Sequence, residues 1–499
     1  MDNLTLFQSF HWYYPGTDFW KHMADQAEYL SGIGFNMIWL PPAYKSAYGA
    51  SEPGYSVYDL FDLGEFDQKN SVATKWGTKE EFLSCIKTCQ DKGLKVLADV
   101  VFNHRDGGDE TEKVPVKEVN PENRTEFLGE EKMVDAFTKY TFPGRKKKYS
   151  RYVWDWHSFS GFSNGDGKIY KIQNEYGPGW DEVLSKELGN YDYLMGADVD
   201  FRNPFVRKEL KHWAVWFYKT TNVDGFRLDA VKHMSPRFIS GWVNFVCRHF
   251  QKDFFALAEY VSNSNDELLK YCELTNNRLQ LFDFPLHHNF YLAGKEKRDF
   301  DLSKIFENTL VNSNPTRAVT FVDNHDTQPL QALESFVDFW FKPLANALIL
   351  LRQDGIPCVF YSSLYGSKYR DKKEGTDEEI EIEIAFVPHL PQFIMARKLI
   401  SYGEQRDYFD HKNCVGWTRA GIPEKQNSGC AVVMSNSEEG FKEMSLGKEN
   451  GNCTYLDLTG GRKERITTNE EGTAIFTTNE TSVSVWVKEG IIERLRSLS

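Results

Sequence analysis

The sequence has no long apolar run. The roughly 20 consecutive apolar residues that a helix needs to cross a bilayer occur nowhere in its 499 positions, which excludes a helical membrane protein. Positive charge is also short, with 59 lysines and arginines against 72 aspartates and glutamates and a net charge of −13. Such a balance repels nucleic acid and anionic membranes, whose binding rests on neutralising phosphate. Cysteine is sparse: eight residues, at 85, 89, 247, 272, 358, 414, 430 and 453, with no CxxC pair and no zinc-like spacing to histidine. A zinc ribbon and a disulfide-stapled scaffold are thereby excluded. Cys85 and Cys89 are expected to share one helix face as small apolar groups. At the start, Met1 leads directly into LTLFQSF, without the charged and apolar regions of a secretory signal. The expected setting is cytoplasmic, with secretion the alternative if the chain is a mature form. Sequons at Asn3, Asn123, Asn452 and Asn479 are short enough to arise by chance. Internal repeats and low-complexity segments are absent.

What is present is globular and aromatic. Hydrophobic residues make up 41% and charged residues 26%, enough to bury a large core, and the length allows a barrel of about 250 residues plus further modules. Aromatics reach 15%, and flat faces beside hydroxyl and indole donors suit neutral sugar rings, although most single aromatics belong to the core.

Eight β-rich runs alternate with helical patterns: 4–10, 35–42, 94–102, 223–231, 254–260, 279–284, 318–324 and 356–363. Repeated βα units of this number predict an α/β fold with a closed eight-stranded parallel barrel. Between the second and third runs, KEEFLSCIKTCQDKG reads as a helix with Gly93 as its stop. About 120 residues separate the third and fourth runs, too many for a structureless loop. The expected organisation is a barrel at 1–103 and 201–396, a small irregular β-rich domain inserted at 104–200, and an antiparallel β-sandwich at 397–499 with a short amphipathic tail. The acidic stretch EGTDEEIEIEI at 374–384 reads as a solvated face.

Barrel enzymes carry their chemistry at the C-terminal ends of strands, and four of these runs end in charged groups. GFRLDAVKH puts Arg227 and Asp229 two apart, so on one face, with Phe226 and Leu228 on the other. A fixed guanidinium is expected to lower the carboxyl pKa of Asp229, as a nucleophile requires. ALAEY ends in Glu259, which suits a general acid. FVDNHD supplies His325 and Asp326, and DVVFNH supplies Asp99, Asn103 and His104. Each segment alone reads equally as a structural ion pair or a solvated strand end; four at one mouth favour a site.

These four segments resemble the conserved regions of the α-amylase family of glycoside hydrolases, in the family's order. GYSVYDLFDLGEF, NYDYLMGADVDF and YFDH followed by VGWTR are similar to the bacterial liquefying type, so the likeness runs from about residue 4 to 487. The resemblance implies endo-hydrolysis of α-1,4 bonds in starch, glycogen or maltooligosaccharides, with an α-glucan as the only partner and a monomeric chain. It implies Asp229 as nucleophile, Glu259 as acid/base and Asp326 as the third carboxylate. Arg227 would hold the nucleophile ionised, Tyr55 would stack on the reacting sugar, His104 and His325 would bond its hydroxyls, and Lys232 with His233 would line the leaving-group side.

The same resemblance implies a structural Ca2+ held by Asn103, Asp192, Asp198 and the His233 carbonyl, hard oxygens of the kind calcium takes. Asp181 and Asp200 match ligands of further ions, but Arg202 stands where an acid is expected, and the loop SGFSNGDG lacks the acidic cluster, which disfavours a second cation. A third ion is disfavoured because Arg406 and Asn436 stand where some relatives use His and Asp. Alternatives on the same scaffold are a transglycosylase, a branching enzyme or a maltogenic hydrolase. A non-catalytic glucan-binding or scaffold protein is the alternative of a different class.

Overall fold

Eight short strands close on themselves: β1 (Leu6–Gln8), β2 (Met37–Leu40), β3 (Lys95–Val100), β4 (Gly225–Leu228), β5 (Phe255–Ala258), β6 (Gln280–Phe282), β7 (Ala318–Phe321) and β8 (Ile356–Phe360). Each lies inside one of the eight β-rich runs of the sequence. The computed structural model describes residues 3–373 and 375–497. All neighbouring barrel strands pair in parallel in chain order, and β8 returns to β1. Closure leaves no barrel strand with an unpaired edge.

The covering helices follow from local chemistry. Helix α1 (Phe19–Ile33) buries Phe19, Trp20, Met23, Ala27, Leu30 and Ile33, a 3–4 spacing along one face. Helix α2 (Lys79–Asp91) starts at a reciprocal capping box between Thr78 and Glu81. Its chain leaves through Gly93 at φ 84°, a left-handed conformation open to glycine. Phe82, Cys85, Ile86 and Cys89 form the buried face, so the two cysteines are core groups, and all eight cysteines are free thiols. Helix α3 (Pro204–Thr221) begins at Asn203, whose side chain accepts from the Phe205 and Val206 amides.

Between β3 and α3 the chain builds a seven-stranded antiparallel sheet from segments between His104 and Val199. Beyond residue 404, a six-stranded sheet faces the two-stranded sheet of Gly440–Ser445 and Thr473–Thr478. Alternation along the strands explains why the larger sheet is buried on both sides. Ala431, Val433 and Trp486 pack with Met444 and Phe476 between the two sheets, while Val415, Trp417, Val432 and Val485 join the barrel's core. The tail folds as a short helix, Ile492–Arg496, with Ile492 and Leu495 buried.

The acidic stretch has a partner. Strands Ser367–Lys372 and Glu379–Ile384 form a hairpin that sets Lys368 opposite Glu383, Arg370 opposite Glu381 and Lys372 opposite Glu379. The described acids are exposed, as a solvated face requires, and Glu379, Glu381 and Glu383 also form one rail of a cross-strand charge ladder. Glu374 lies outside the described residues. The hairpin's other face reaches the barrel mouth, where Tyr369 stacks on Tyr13 at 4.1 Å and the Tyr13 hydroxyl donates to Asp371 at 2.7 Å.

Barrel and sandwich are joined by an amide. Asn436 Nδ2 donates to the carbonyls of Lys297 (2.8 Å) and Phe300 (2.9 Å), and Asn413 Nδ2 donates to Asn436 Oδ1 and to the Arg298 carbonyl. Arg406 is turned toward Glu404, at 2.9 Å. Asn436→Ala removes three of these part-buried bonds, so it should lower the unfolding free energy by about 1–3 kcal/mol in denaturant titration.

Candidate active site

Register brings the charges together. β4 pairs with β3 so that Arg227 lies opposite Asp99, while Phe226 packs outward against Trp242 and Phe254. Arg227 is wholly buried. Its Nη1 donates to Asp99 Oδ1 (2.9 Å) and Asp229 Oδ1 (2.6 Å), and its Nη2 lies 2.7 Å from Glu259 Oε1. One guanidinium therefore bridges carboxylates from β3 and from the exits of β4 and β5. Asp99 Oδ2 accepts from Trp39 Nε1 and the Tyr55 hydroxyl, both at 2.9 Å, so this carboxylate is fully engaged from within the protein.

The turn after Asp229 serves the same cluster. Ala230 sits at φ 49°, a left-handed conformation that costs a non-glycine residue about 1–2 kcal/mol. Its amide donates to Glu259 Oε2 at 3.2 Å, and the next amide, of Val231, donates to the Glu259 carbonyl at 3.0 Å. Asp326 is placed by Asn324, whose Oδ1 accepts from the amides of Asp326 (2.9 Å) and Thr327 (2.8 Å). Asp326 also hydrogen-bonds Glu259.

Burial changes the expected electrostatics. Burial pushes the Asp229 carboxyl well above its ordinary range; Arg227 opposes this, and Glu259, Asp99 and Asp326 reinforce it. The expected lowering of Asp229 is thus reversed, because one guanidinium is shared among several carboxylates in a low-dielectric mouth. Burial, and after it the Glu259 charge, push Asp326 up to about 8. At neutral pH Asp326 therefore retains a proton.

The other anticipated residues gather around this cluster. Tyr55, Trp12 and His325 form a cluster of near-parallel rings, with Tyr55 5.5 Å (9°) from Trp12 and 5.1 Å (18°) from His325, and Trp12 6.2 Å (13°) from His325. Gln8 Nε2 is 3.0 Å from His325 Nδ1; an amide donor there leaves the ring proton on Nε2, which lies 3.5 Å from Asp326 Oδ2. Burial holds His325 far below its ordinary range and so neutral. His104 Nε2 bonds the Tyr55 carbonyl at 2.9 Å, while its buried Nδ1 has no protein partner. Lys232 and His233 share the short turn Val231–His233; Lys232 Nζ meets Glu187 Oε1 at 2.7 Å and His233 Nδ1 meets the Tyr191 carbonyl at 2.7 Å. Burial takes His233 down to about 4. Sequence reasoning missed Gln8, Trp12, Trp39 and Glu187 as participants, and the hub role of Asp99. Gln8 was detectable, as the one polar residue in β1.

A second acidic cluster lies beneath the inserted sheet. Asn103, Asp192, Asp198 and Asp200 are buried, and Asn103 Oδ1 has no hydrogen-bond partner. Asp198 Oδ2 accepts from Ser160, and Asp192 Oδ2 from the Asp181 amide at 2.9 Å. Burial raises Asp198 well above, and Asp192 to about 7. These hard, desolvated oxygens suit a divalent cation, although among the described residues no three Asp, Glu, His or Cys side chains converge as a metal cluster. Asp200 differs: burial would raise it, but Arg202 grips it at 2.9 and 2.7 Å and takes it below the usual range. Burial likewise raises Asp181. Lys171, wholly buried, adds a second fixed positive charge nearby, its Nζ on the Ile172 carbonyl at 2.8 Å.

A closed β/α barrel whose strand ends gather Asp229, Glu259 and Asp326 around one arginine has the layout of a glycoside hydrolase. The chain belongs to the alpha-amylase family: the model of the alpha amylase catalytic domain matches residues 16–387. It is 47% identical over 498 residues to the cytoplasmic alpha-amylase of Escherichia coli (strain K12), covering 99% of this chain and 100% of that one. An alpha-amylase of Geobacillus stearothermophilus is 44% identical, covering 97% of this chain and 87% of that one. Among solved structures, the alpha-amylase from Geobacillus thermoleovorans complexed with acarbose shares the fold with a TM-score of 0.64 at 17% identity, covering 97% of this chain and 98% of that one.

Lysine cannot span three carboxylates as the planar guanidinium does. Arg227→Lys weakens the force that opposes the raised pKa of Asp229, which rises further. A group that must be ionised is then active only at higher pH, so the acid limb of the kcat/KM profile should move upward and its plateau fall.

Proposed function

We propose that this chain is an α-amylase that cleaves internal α-1,4 bonds of starch, glycogen or maltooligosaccharides with retention of configuration. The bridging of Asp229 and Glu259 by one guanidinium carries this reading, since a retaining pair must stand close enough to work on one anomeric carbon. Glu259 protonates the glycosidic oxygen as Asp229 attacks the anomeric carbon; that bond breaks and a glycosyl ester forms on Asp229. Glu259 then takes a proton from water, whose oxygen attacks the same carbon and breaks the ester. Asp326, hydrogen-bonded to Glu259, supports the distorted sugar. Arg227 limits the rise in the pKa of Asp229.

His104 and His325 bond hydroxyls of the reacting sugar; the unpartnered Nδ1 of His104 supports this. Tyr55 stacks on the ring, backed by Trp12. Lys232, held by Glu187, and His233 face the leaving group. Asp229→Asn should reduce turnover by several orders of magnitude at unchanged melting temperature, and proton NMR of early wild-type products should give the α-anomer. Near-normal turnover in D229N or a β-product would overturn the mechanism. Loss of iodine staining well ahead of reducing-sugar release tests endo attack against a maltogenic or transglycosylating sibling.

Calcium belongs to the same reading. Asn103, Asp192, Asp198 and the His233 carbonyl would hold one ion that ties the inserted sheet to the barrel, and the orphaned Asn103 oxygen and desolvated carboxylates support it. Asp181 and Asp200 are weaker candidates, because Arg202 already neutralises Asp200. An ion bound a thousandfold above its Kd stabilises by about 4 kcal/mol, so chelation should lower the melting temperature measurably. A chelator-insensitive, metal-free protein would refute it. We also propose a monomer in a cytoplasmic setting; the resemblance in sequence to the E. coli enzyme supports the setting.

A further inference from the structure

Five of the seven residues from 145 to 151, RKKKYSR, are cationic in a chain of net charge −13. The segment lies across the first turns of α3, outside the catalytic mouth. Arg145 is its buried anchor: Nε donates to Asp59 at 2.8 Å and Nη1 to the carbonyls of Lys148 (2.6 Å) and Ser150 (2.8 Å). From α3, His212 Nε2 bonds the Tyr149 carbonyl at 2.8 Å. Held in this way, Lys146, Lys147 and Tyr149 adopt left-handed φ angles of 52°, 62° and 68°, a strain that persists only where surroundings enforce it.

The result is a groove of about 600 Å³ between the segment and α3, a size that fits a small ligand. Lys147, Arg151, Lys208, His212 and Glu209 line it with Tyr149 and Phe205; the Tyr149 ring is itself packed by Lys79, Lys148 and Trp216. Phe205 is 62% exposed. The nearby acids are already committed: Glu209 is buried on the Ser150 hydroxyl, and Glu65 is held by Lys79, Lys148 and the Tyr149 hydroxyl. Among the described residues no carboxylate pairs with Lys147, Arg151 or Lys208. Cations lining one groove beside an exposed aromatic ring match an anion carried on a ring with apolar C–H faces.

We propose that this groove binds the phosphate ester of a phosphorylated sugar, with Lys147, Arg151 and Lys208 on the phosphate and Phe205 on the sugar. The anion site stands on the geometry alone; the choice of a sugar as its carrier rests on the glucan reading above. An acidic chain repels extended polyanions, so a small or sparsely phosphorylated ligand fits better than nucleic acid.

Calorimetry of the full chain with glucose 6-phosphate, glucose and inorganic phosphate tests this. The sugar phosphate should bind more tightly than either component, and Lys147→Ala/Lys208→Ala should weaken it by about tenfold or more, while Lys147→Arg/Lys208→Arg keeps it. Hydrolysis of unphosphorylated maltooligosaccharides should be unchanged in both variants, which reads the glucan function separately. Cosedimentation with phosphorylated starch and with the same starch after phosphatase treatment identifies the source. Preference for the phosphorylated polymer, lost in the alanine variant, assigns an ester on the substrate; equal sedimentation with intact glucose 6-phosphate binding assigns a free sugar phosphate. The proposal is overturned if glucose 6-phosphate fails to bind at about 10 mM, if inorganic phosphate binds as tightly, or if the alanine variant binds unchanged.

Discussion

The Arg227 guanidinium is the charge on which the barrel mouth depends. Several carboxylates in a space that largely excludes water would repel one another and take up protons or unfold the site. A permanently charged planar fork that reaches Asp99, Asp229 and Glu259 together makes the arrangement tenable. Much of the surrounding architecture serves that contact. Trp39 and Tyr55 saturate the far side of Asp99, so its charge is spent on Arg227, and the strained Ala230 turns an amide toward Glu259.

The arginine nevertheless does not win outright. Burial and like charge keep Asp229 and Asp326 above their ordinary range. The same competition governs the acidic cluster under the inserted sheet, with a different outcome at each residue. Asp200 has Arg202 to itself and stays ionised, whereas Asp192 and Asp198 have no such partner and are raised. Fixed cations and a bound ion are alternative answers to one problem, and this chain uses the first at Asp200.

Between barrel and sandwich, neutral groups take the load. Asn436 joins carbonyls of one unit to the other through its own amide, and the shared apolar face of Val415, Trp417, Val432 and Val485 removes water from the joint. On the surface, charge is sorted rather than mixed. The Lys368–Lys372 and Glu379–Glu383 rails neutralise each other, while among the described residues no carboxylate pairs with the cations at 147, 151 and 208.

By itself the sequence determined the eight strands, because period and turn residues are local, and the identity of the side chains at their ends, because strand parity decides which face each occupies. Asp229, Glu259 and Asp326 were legible for that reason, and so was Arg227 as the partner of Asp229. Only the tertiary structure decided that Arg227 also holds Asp99 and Glu259, residues 128 positions before it and 32 after it in the chain. The same holds for the direction of the Asp229 shift, the stack of Trp12 on Tyr55, the Glu187–Lys232 contact and the basic partner of the acidic stretch. Each depends on distances between residues far apart in sequence and on how much water burial removes, and neither is encoded in local pattern.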